Sequence, residues 1–359
     1  MKKISIIGTV GIPARYGGFE TFADNLVKDL SNKNEFIVFC SKKHYKNREN
    51  SYFCAKRIFL PLKANGIQSI PYDIISIIIS LFKSDTLLIL GISGCIILPI
   101  IKPFHRKKII VTLDGLDSKR KKWSKYSKWF LEISERCAVK YADVIVSDNH
   151  IIQKYIKSKY NKESRLIEYS GNHSHCVKPN NTEFQKYPFL KGKYALSISR
   201  VEPENNCDLI LNTFKQLNDI KLVYIGTWNN NKYSRSLKEK FKFNPNIVLL
   251  DAIFDIEIIN LIRSNCTVFI HGNSVGGTNP GLVEAMYVGL PILAYDVDFN
   301  RITTEGNAIF FSNQQQLTDG LTQYLNNYEL LIKNKIKVKE IAVIRYDKYK
   351  IFKKYDNIF

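Results

Sequence analysis

The residues best suited to chemistry lie in one stretch, 271–286, HGNSVGGTNPGLVEAM. An apolar run, TVFI at 267–270, leads into it; Gly272, Gly276 and Gly277 follow, and Asn279 and Pro280 then open a run that carries Glu284. Strand, glycine-rich turn and helix start is how a doubly wound α/β fold presents backbone N–H groups to a phosphate or a sugar. Thr278 or Asn279 suits the cap of that helix, and Pro280 suits its first turn. Glu284, one turn in, can reach a ligand lying across the helix start. An ionised carboxylate accepts hydrogen bonds and repels anions, so it fits sugar hydroxyls better than phosphates. A tight connection without a ligand would use the same glycines, so other stretches must decide between the two.

Four more strand ends place reactive residue types where open α/β sheets bind ligands. The run 2–8, KKISIIG, feeds TVGIPARYGGFET, and the pair Gly17-Gly18 stands just before a helix over 22–30. That pair reads as an approach to a substrate or a diphosphate, with Arg15 beside it as an anion contact. The loop is not G-x-G-x-x-G, and no acidic residue ends the next strand, EFIVFC at 35–40. A dinucleotide is therefore not expected, and no other cofactor is. The strand 108–113 ends in Asp114-Gly115; Asp114 is an acceptor-side base or hydrogen-bond acceptor, or else a turn residue. The strand 194–199 ends in RVEPENN at 200–206, where Arg200 is well placed for a diphosphate. Asp296-Val297-Asp298 ends a last strand and reads as a turn. His173, His175 and Cys176 are spaced like metal ligands, but no second pair stands near them, so no metal is expected.

The elements that must hold these residues follow from length and periodicity. A chain of 359 residues suggests two domains, each able to bury a core. Continuous apolar runs alternate with helical patterns in both halves, which predicts parallel sheets. The expected division is a first Rossmann-like domain over 1–176, a polar linker over 177–192, a second over 193–335 and a Lys-rich helical tail over 336–359, packing back on the first. Residues 74–101 are very apolar, but Lys83, Asp85 and Pro99 interrupt them; they read as helix, buried strand, turn and helix, not as a membrane span.

Charge is uneven. Residues 1–180 hold 31 Lys+Arg against 15 Asp+Glu, and residues 181–359 hold 22 against 18. The basic half attracts nucleic acid, anionic membrane or phosphorylated substrates. Within it, KRKKWSKYSKWF at 119–130 sets Trp123, Tyr126 and Trp129 three apart among cations, which suits a membrane interface or a lipid-phosphate acceptor, or simply a helix with a packed stripe and a solvated face. Seven scattered cysteines without a C-x-x-C pair argue for a reducing compartment and against a disulfide framework. No secretory signal is read at Met1–Gly8, so a cytoplasmic protein is expected.

Three stretches together resemble a known family. HGNSVGGTNPGLVEAM resembles the sugar-nucleotide loop of glycosyltransferase family 4, and RVEPENN its diphosphate loop. GTVGIPARYGGFET with LDGLDSKRKKW is similar to one subgroup, bacterial rhamnosyltransferases of polysaccharide assembly. The resemblance implies a GT-B fold, two Rossmann-like doubly wound domains facing across a cleft, and sugar transfer with retention of configuration and no bound metal. It implies dTDP-rhamnose as donor and a lipid-linked saccharide of capsule or O-antigen assembly as acceptor, with no nucleic acid, and a protein peripherally associated with the inner face of the cell membrane. Glu284 matches the Glu that holds the ribose, Arg200 the diphosphate arginine, and Gly277, Thr278 and Asn279 the turn around the donor sugar. Two positions depart: Gly276 stands where the family has a second Glu, and Asn205 where it has a Lys. The alternatives are another nucleotide sugar, a non-transferase enzyme on the same architecture, or a non-enzymatic binder of anionic lipid or nucleic acid.

Overall fold

The computed structural model describes residues 1–15, 17–115, 124–217 and 219–359. They form two compact units, Met1–Tyr169 with Tyr349–Phe359, and Ser170–Lys348.

The first unit is built on eight strands: β1 (Lys2–Ile7), β2 (Asn34–Ser41), β3 (Ser51–Tyr52), β4 (Ala55–Leu60), β5 (Thr86–Leu90), β6 (Lys108–Leu113), β7 (Val144–Ser147) and β8 (Arg165–Leu166). Their order is β3-β4-β2-β1-β5-β6-β7-β8, parallel throughout except for β3 against β4. The inner strands are continuous apolar runs because helices cover both faces of such a sheet; all five residues of β5 are buried. The connections reverse direction between β1 and β5, the point at which open α/β sheets bind ligands. There Gly8, at φ +90°, meets the Leu90 carbonyl so closely that a Cβ would lie 2.0 Å from its oxygen. The C-terminal segment completes this unit's core. Phe352, Tyr355 and Phe359 pack with Phe22, Phe36 and Tyr169, and Lys2 Nζ donates to the Phe359 oxygen at 2.8 Å.

The second unit has six parallel strands: β9 (Tyr194–Ile198), β10 (Lys221–Gly226), β11 (Ile247–Asp251), β12 (Val268–His271), β13 (Ile292–Tyr295) and β14 (Ile309–Phe311). The order β11-β10-β9-β12-β13-β14 is that of a complete Rossmann fold, with its switch point between β9 and β12.

Several elements differ from the sequence reading. The first helix begins at Gly18, a turn earlier than expected, because Gly17 takes the cap position that glycine's loop preference conceals. The segment after residue 176 is not a plain linker. It holds the helix Asn181–Lys186, started by a capping box in which Asn180 and Glu183 accept each other's backbone N–H. β4 pairs with β2 along its whole length although its KR dipeptide hides it in the sequence. Residues 74–101 fall into the helix Ser69–Lys83, β5, and short turns of helix. Among the described residues no helix is long and apolar enough to cross a membrane.

Candidate functional site

In the second unit the loops after β9 and β12 are neighbours, since Val268 and Phe269 pair with Ala195 and Leu196. Backbone and side-chain bonds stitch them together. Asn206, in left-handed backbone at φ 49°, donates Nδ2 to the Gly272 carbonyl at 2.8 Å. Ser274 gives its N–H and its hydroxyl to the Glu204 carbonyl at 2.9 and 2.8 Å. Gly272 is required here: a Cβ would stand 2.2 Å from the Asn205 carbonyl oxygen. Asn300, buried on the helix Asp298–Thr303 that follows β13, donates to the Asn273 carbonyl at 2.9 Å. Two loops far apart in sequence are therefore one rigid edge.

Arg200 lies at the head of this edge with its side chain exposed. Among the described residues no ion pair holds its guanidinium, while its carbonyl accepts Asn205 Nδ2 at 2.7 Å and the Glu202 N–H at 2.9 Å. Asn205 is itself buried. At the position where the sequence resemblance implies a cation, this chain has an amide that braces the loop carrying Arg200.

The second loop leads into the helix Pro280–Val288. Asn279 caps it, accepting the Gly281 N–H at 3.0 Å, and Pro280 is its first residue. Gly276 and Gly277 are buried, as is Thr278. Gly276 has φ +140° and no close neighbour where a Cβ would point. It is needed for the path of the backbone, and a glutamate at this position would be strained. The Glu-to-Gly departure is thus a difference in loop shape as well as in side chain.

Glu284 is held from two sides. One carboxylate oxygen pairs with Arg263 Nη2, and the other lies 2.9 Å from His173 Nε2. Burial would raise its carboxyl, but Arg263 and then His173 outweigh it and bring it down to about 2. Arg263, itself buried, also donates to Ser174 Oγ at 3.0 Å and Asn260 Oδ1 at 3.1 Å. Glu284 is ionised and fixed, and two of its roughly four lone-pair positions remain for a ligand's hydroxyls. Sequence spacing gave no sign of this trio, because His173 and Arg263 come from other elements. His173 and His175 do not share a site: His175 faces Glu257 at 3.3 Å. Among the described residues no three His, Cys, Asp or Glu side chains are grouped to hold a metal. His271, at the end of β12, is buried, and burial lowers its imidazole to about 4, so it is neutral at pH 7.

In the first unit, Arg15, Gly17, Gly18 and Asp114 all follow strands at the carboxyl edge. The β1 loop is pinned by its surroundings. Glu20 accepts the Val10 N–H at 2.6 Å, Asp24 accepts the Ala14 N–H at 3.2 Å, and Arg57 donates to the Ile12 carbonyl at 3.1 Å. Gly17 caps the helix Gly18–Leu30 with no side-chain bond, which leaves the first N–H groups uncapped by a side chain. Arg15 is exposed and stacks on Tyr45, 5.4 Å from the ring centre. Asp114 is half-buried; with Asp148 its charge adds to burial in raising the phenols of Tyr169 and Tyr355. Of the basic aromatic run, residues 119–123, including Trp123, lie outside the described residues, while Tyr126 and Trp129 stand exposed on the helix Lys125–Tyr141.

Residues 179–339 match the family described as "Glycosyl transferases group 1". The matched stretch, hereafter the group 1 domain, lies within the second unit. Residues 1–172 match a domain of unknown function, DUF1972. No curated protein matches the chain. Among solved structures, sucrose-phosphate synthase from Thermosynechococcus elongatus is similar over 100% of this chain and 98% of its own, with 13% identity and a TM-score of 0.82. HepE of Anabaena, in complex with UDP-glucose, is similar over 99% of both chains, with 13% identity and a TM-score of 0.81. A trehalose-6-phosphate protein from E. coli bound to UDP-2-fluoro glucose is similar over 99% and 98%, with 8% identity and a TM-score of 0.73. These likenesses establish the GT-B fold, two Rossmann-like domains, as expected. In the group 1 domain the stitched loops carry Arg200, Asn205, Gly276, Gly277, Thr278 and Asn279 on one sheet edge, with Glu284 on the helix that the second loop enters.

Proposed function

We propose that this chain is a retaining glycosyltransferase that moves a sugar from a nucleoside diphosphate to a lipid-linked saccharide, with dTDP-rhamnose as donor and surface polysaccharide as product. The observation that carries the reading is the edge at the switch point of the group 1 domain. It offers an exposed arginine without an ion-pair partner among the described residues, a glycine turn in which Gly276 is uncrowded, and an ionised carboxylate one turn inside a helix.

The roles follow from charge. Arg200 takes the diphosphate, whose negative charge grows as the bond from the anomeric carbon to the phosphate oxygen breaks. Glu284 accepts ribose hydroxyls, and the turn at Gly276, Gly277, Thr278 and Asn279 receives the sugar. The acceptor oxygen bonds to the anomeric carbon on the face the phosphate leaves, and its proton passes to the departing phosphate. The first unit takes the acceptor, with Asp114 orienting the hydroxyl; Arg15, Gly17 and Gly18 offer N–H and cationic groups suited to a phosphate. Rhamnose rests on the resemblance of the sequence motifs, supported by Gly276, which removes a carboxylate partner for donor hydroxyls.

The test is a panel of nucleotide sugars scored by thermal shift and by product analysis with lipid-linked acceptors. Selective stabilisation by dTDP-rhamnose with transfer to an acceptor is expected. An equal response to all donors removes the rhamnose assignment, and conversion of the donor without any acceptor would make the protein an epimerase or hydrolase instead.

A further inference from the structure

The helix Ser69–Lys83 is built inside out. Its buried face holds Tyr72, Asp73, Ser76, Ile77 and Ser80, and Ser84 follows at the cap, also buried. The three serine hydroxyls each donate to the carbonyl four residues back, at 2.7, 2.7 and 2.8 Å, so the serines are satisfied within the helix, while Asp73 Oδ1 on the same face has no hydrogen-bond partner among the described residues. Small side chains let it seat closely; Gly94 lies where a Cβ would come 2.6 Å from Asp73 Cβ. The outward face has the spacing i, i+4, i+7, i+11 and reads Pro71, Ile75, Ile78 and Phe82, with Phe82 84% exposed. The helix's charged residues are Asp73, buried, and Lys83 at its end. A helix on a soluble surface normally turns its apolar stripe inward and its charges outward.

The same pattern continues on neighbouring elements. The turn Cys95–Ile97 touches both this helix and the helix Lys125–Tyr141, and Ser134 of the latter donates to the Ile92 carbonyl at 2.5 Å. Ile100 and Phe104 follow that turn and are exposed, as are Tyr126 and Trp129. Exposed cations flank these apolar groups: Lys83, Arg106, Lys125 and Lys140.

We propose that this face, with the helix Ser69–Lys83 at its centre, docks on the surface of an anionic lipid bilayer. Charge selects this occupant over a second copy of the chain, because two equally basic surfaces repel, whereas anionic headgroups attract them. Side-chain chemistry agrees: aliphatic groups enter the acyl boundary while Tyr126 and Trp129 suit the headgroup level. Fifteen residues give a helix of about 22 Å, too short to span and suited to lying in the plane. The inference deepens the reading of a lipid-linked acceptor by naming the surface that reaches it.

Flotation with vesicles of phosphatidylcholine, with and without phosphatidylglycerol, at low and high salt, tests it without donor or acceptor. The variants are Ile78→Glu combined with Phe82→Glu, and Phe243→Glu, an exposed site in the second unit, as control. Circular dichroism and thermal unfolding show that each is folded; the substituted side chains are on the surface, so folding is expected to survive. Wild type and control should bind phosphatidylglycerol vesicles in a salt-sensitive manner, and the double variant should bind about tenfold less or worse. Unchanged binding by the double variant, or no binding by wild type, overturns the proposal. So does light scattering that shows a wild-type dimer made monomeric by the two substitutions, since a second copy would then own the face. Vesicle binding without any donor binding would instead defeat the transferase reading and leave this surface standing.

Discussion

Arg263 and Glu284 form an ion pair inside the group 1 domain, and His173 closes on the same carboxylate from the other side at 2.9 Å. Arg263 comes from the helix Ile256–Ser264, Glu284 from the helix Pro280–Val288, and His173 from the start of the unit. The carboxylate that we propose meets the donor's hydroxyls is thus positioned by two partners, which fixes its charge and its direction.

Breaking that pair from one side is expected to be costly. Arg263→Met leaves a buried carboxylate without its cation and should destabilise the protein by about 3–5 kcal/mol in urea unfolding. Adding Glu284→Gln to the same chain removes the unpaired charge and should recover much of the loss. Donor binding should fall in both variants. A double variant as unstable as the single one would mean that packing, not charge, sets the effect.

The pH dependence has a definite sign. The folded Glu284 carboxyl, at about 2, lies below its ordinary 4.5, so the unfolded chain binds the proton more readily. Stability from this group is present above pH 4.5 and is lost as pH falls towards 2, by an amount on the order of 3 kcal/mol. Acid titrations of unfolding free energy for wild type and Glu284→Gln should diverge at neutral pH and converge only below about pH 2. Parallel curves across that window would show that the pair does not set the carboxyl's affinity for protons.

The two glycines of the β12 loop should respond differently. Gly272→Ala drives a methyl into the Asn205 carbonyl and separates the two loops, so both stability and donor binding should suffer. Gly276→Ala meets only Asn273 Nδ2, at an ordinary contact distance of 3.8 Å, but forces φ +140° on a residue with a Cβ, a strain of about 1–3 kcal/mol that the loop can shed by changing path. Its expected signature is a donor affinity that drops more than the melting temperature does. Equal effects on both readouts would place Gly276 in the structural class of Gly272.

Much of this was legible in the sequence because its signals are local. Continuous apolar runs announced β1, β5, β6, β9 and β12, and glycines with Asn279 and Pro280 announced the second loop and its helix. What was hidden is non-local. Nothing near Glu284 in sequence points to Arg263, and His173 looked like half of a metal pair. Asn205 reads as a lost cation, yet its amide braces the Arg200 carbonyl at 2.7 Å. The helix Ser69–Lys83 shows a third kind of limit. Its two faces are distinct in sequence, but ordinary amphipathicity assigns the serine face to solvent, and only the packing against Gly94 shows the reverse.

Arg200 offers the sharpest test of the donor site. Its guanidinium is exposed and makes no ion pair among the described residues, so Arg200→Ala should leave the melting temperature nearly unchanged. A charge-assisted contact to a diphosphate is worth about 1.5–3 kcal/mol, so affinity for dTDP should fall by roughly one to two orders of magnitude. Thymidine, which lacks the phosphates, should lose little. Arg200→Lys keeps the charge but not the planar fork, and should recover part of the dTDP affinity. Calorimetry with both ligands on the three proteins separates the outcomes. A uniform loss for dTDP and thymidine would mean that the substitution disturbs the loop braced by Asn205, and an unchanged dTDP affinity would move the diphosphate away from Arg200 altogether.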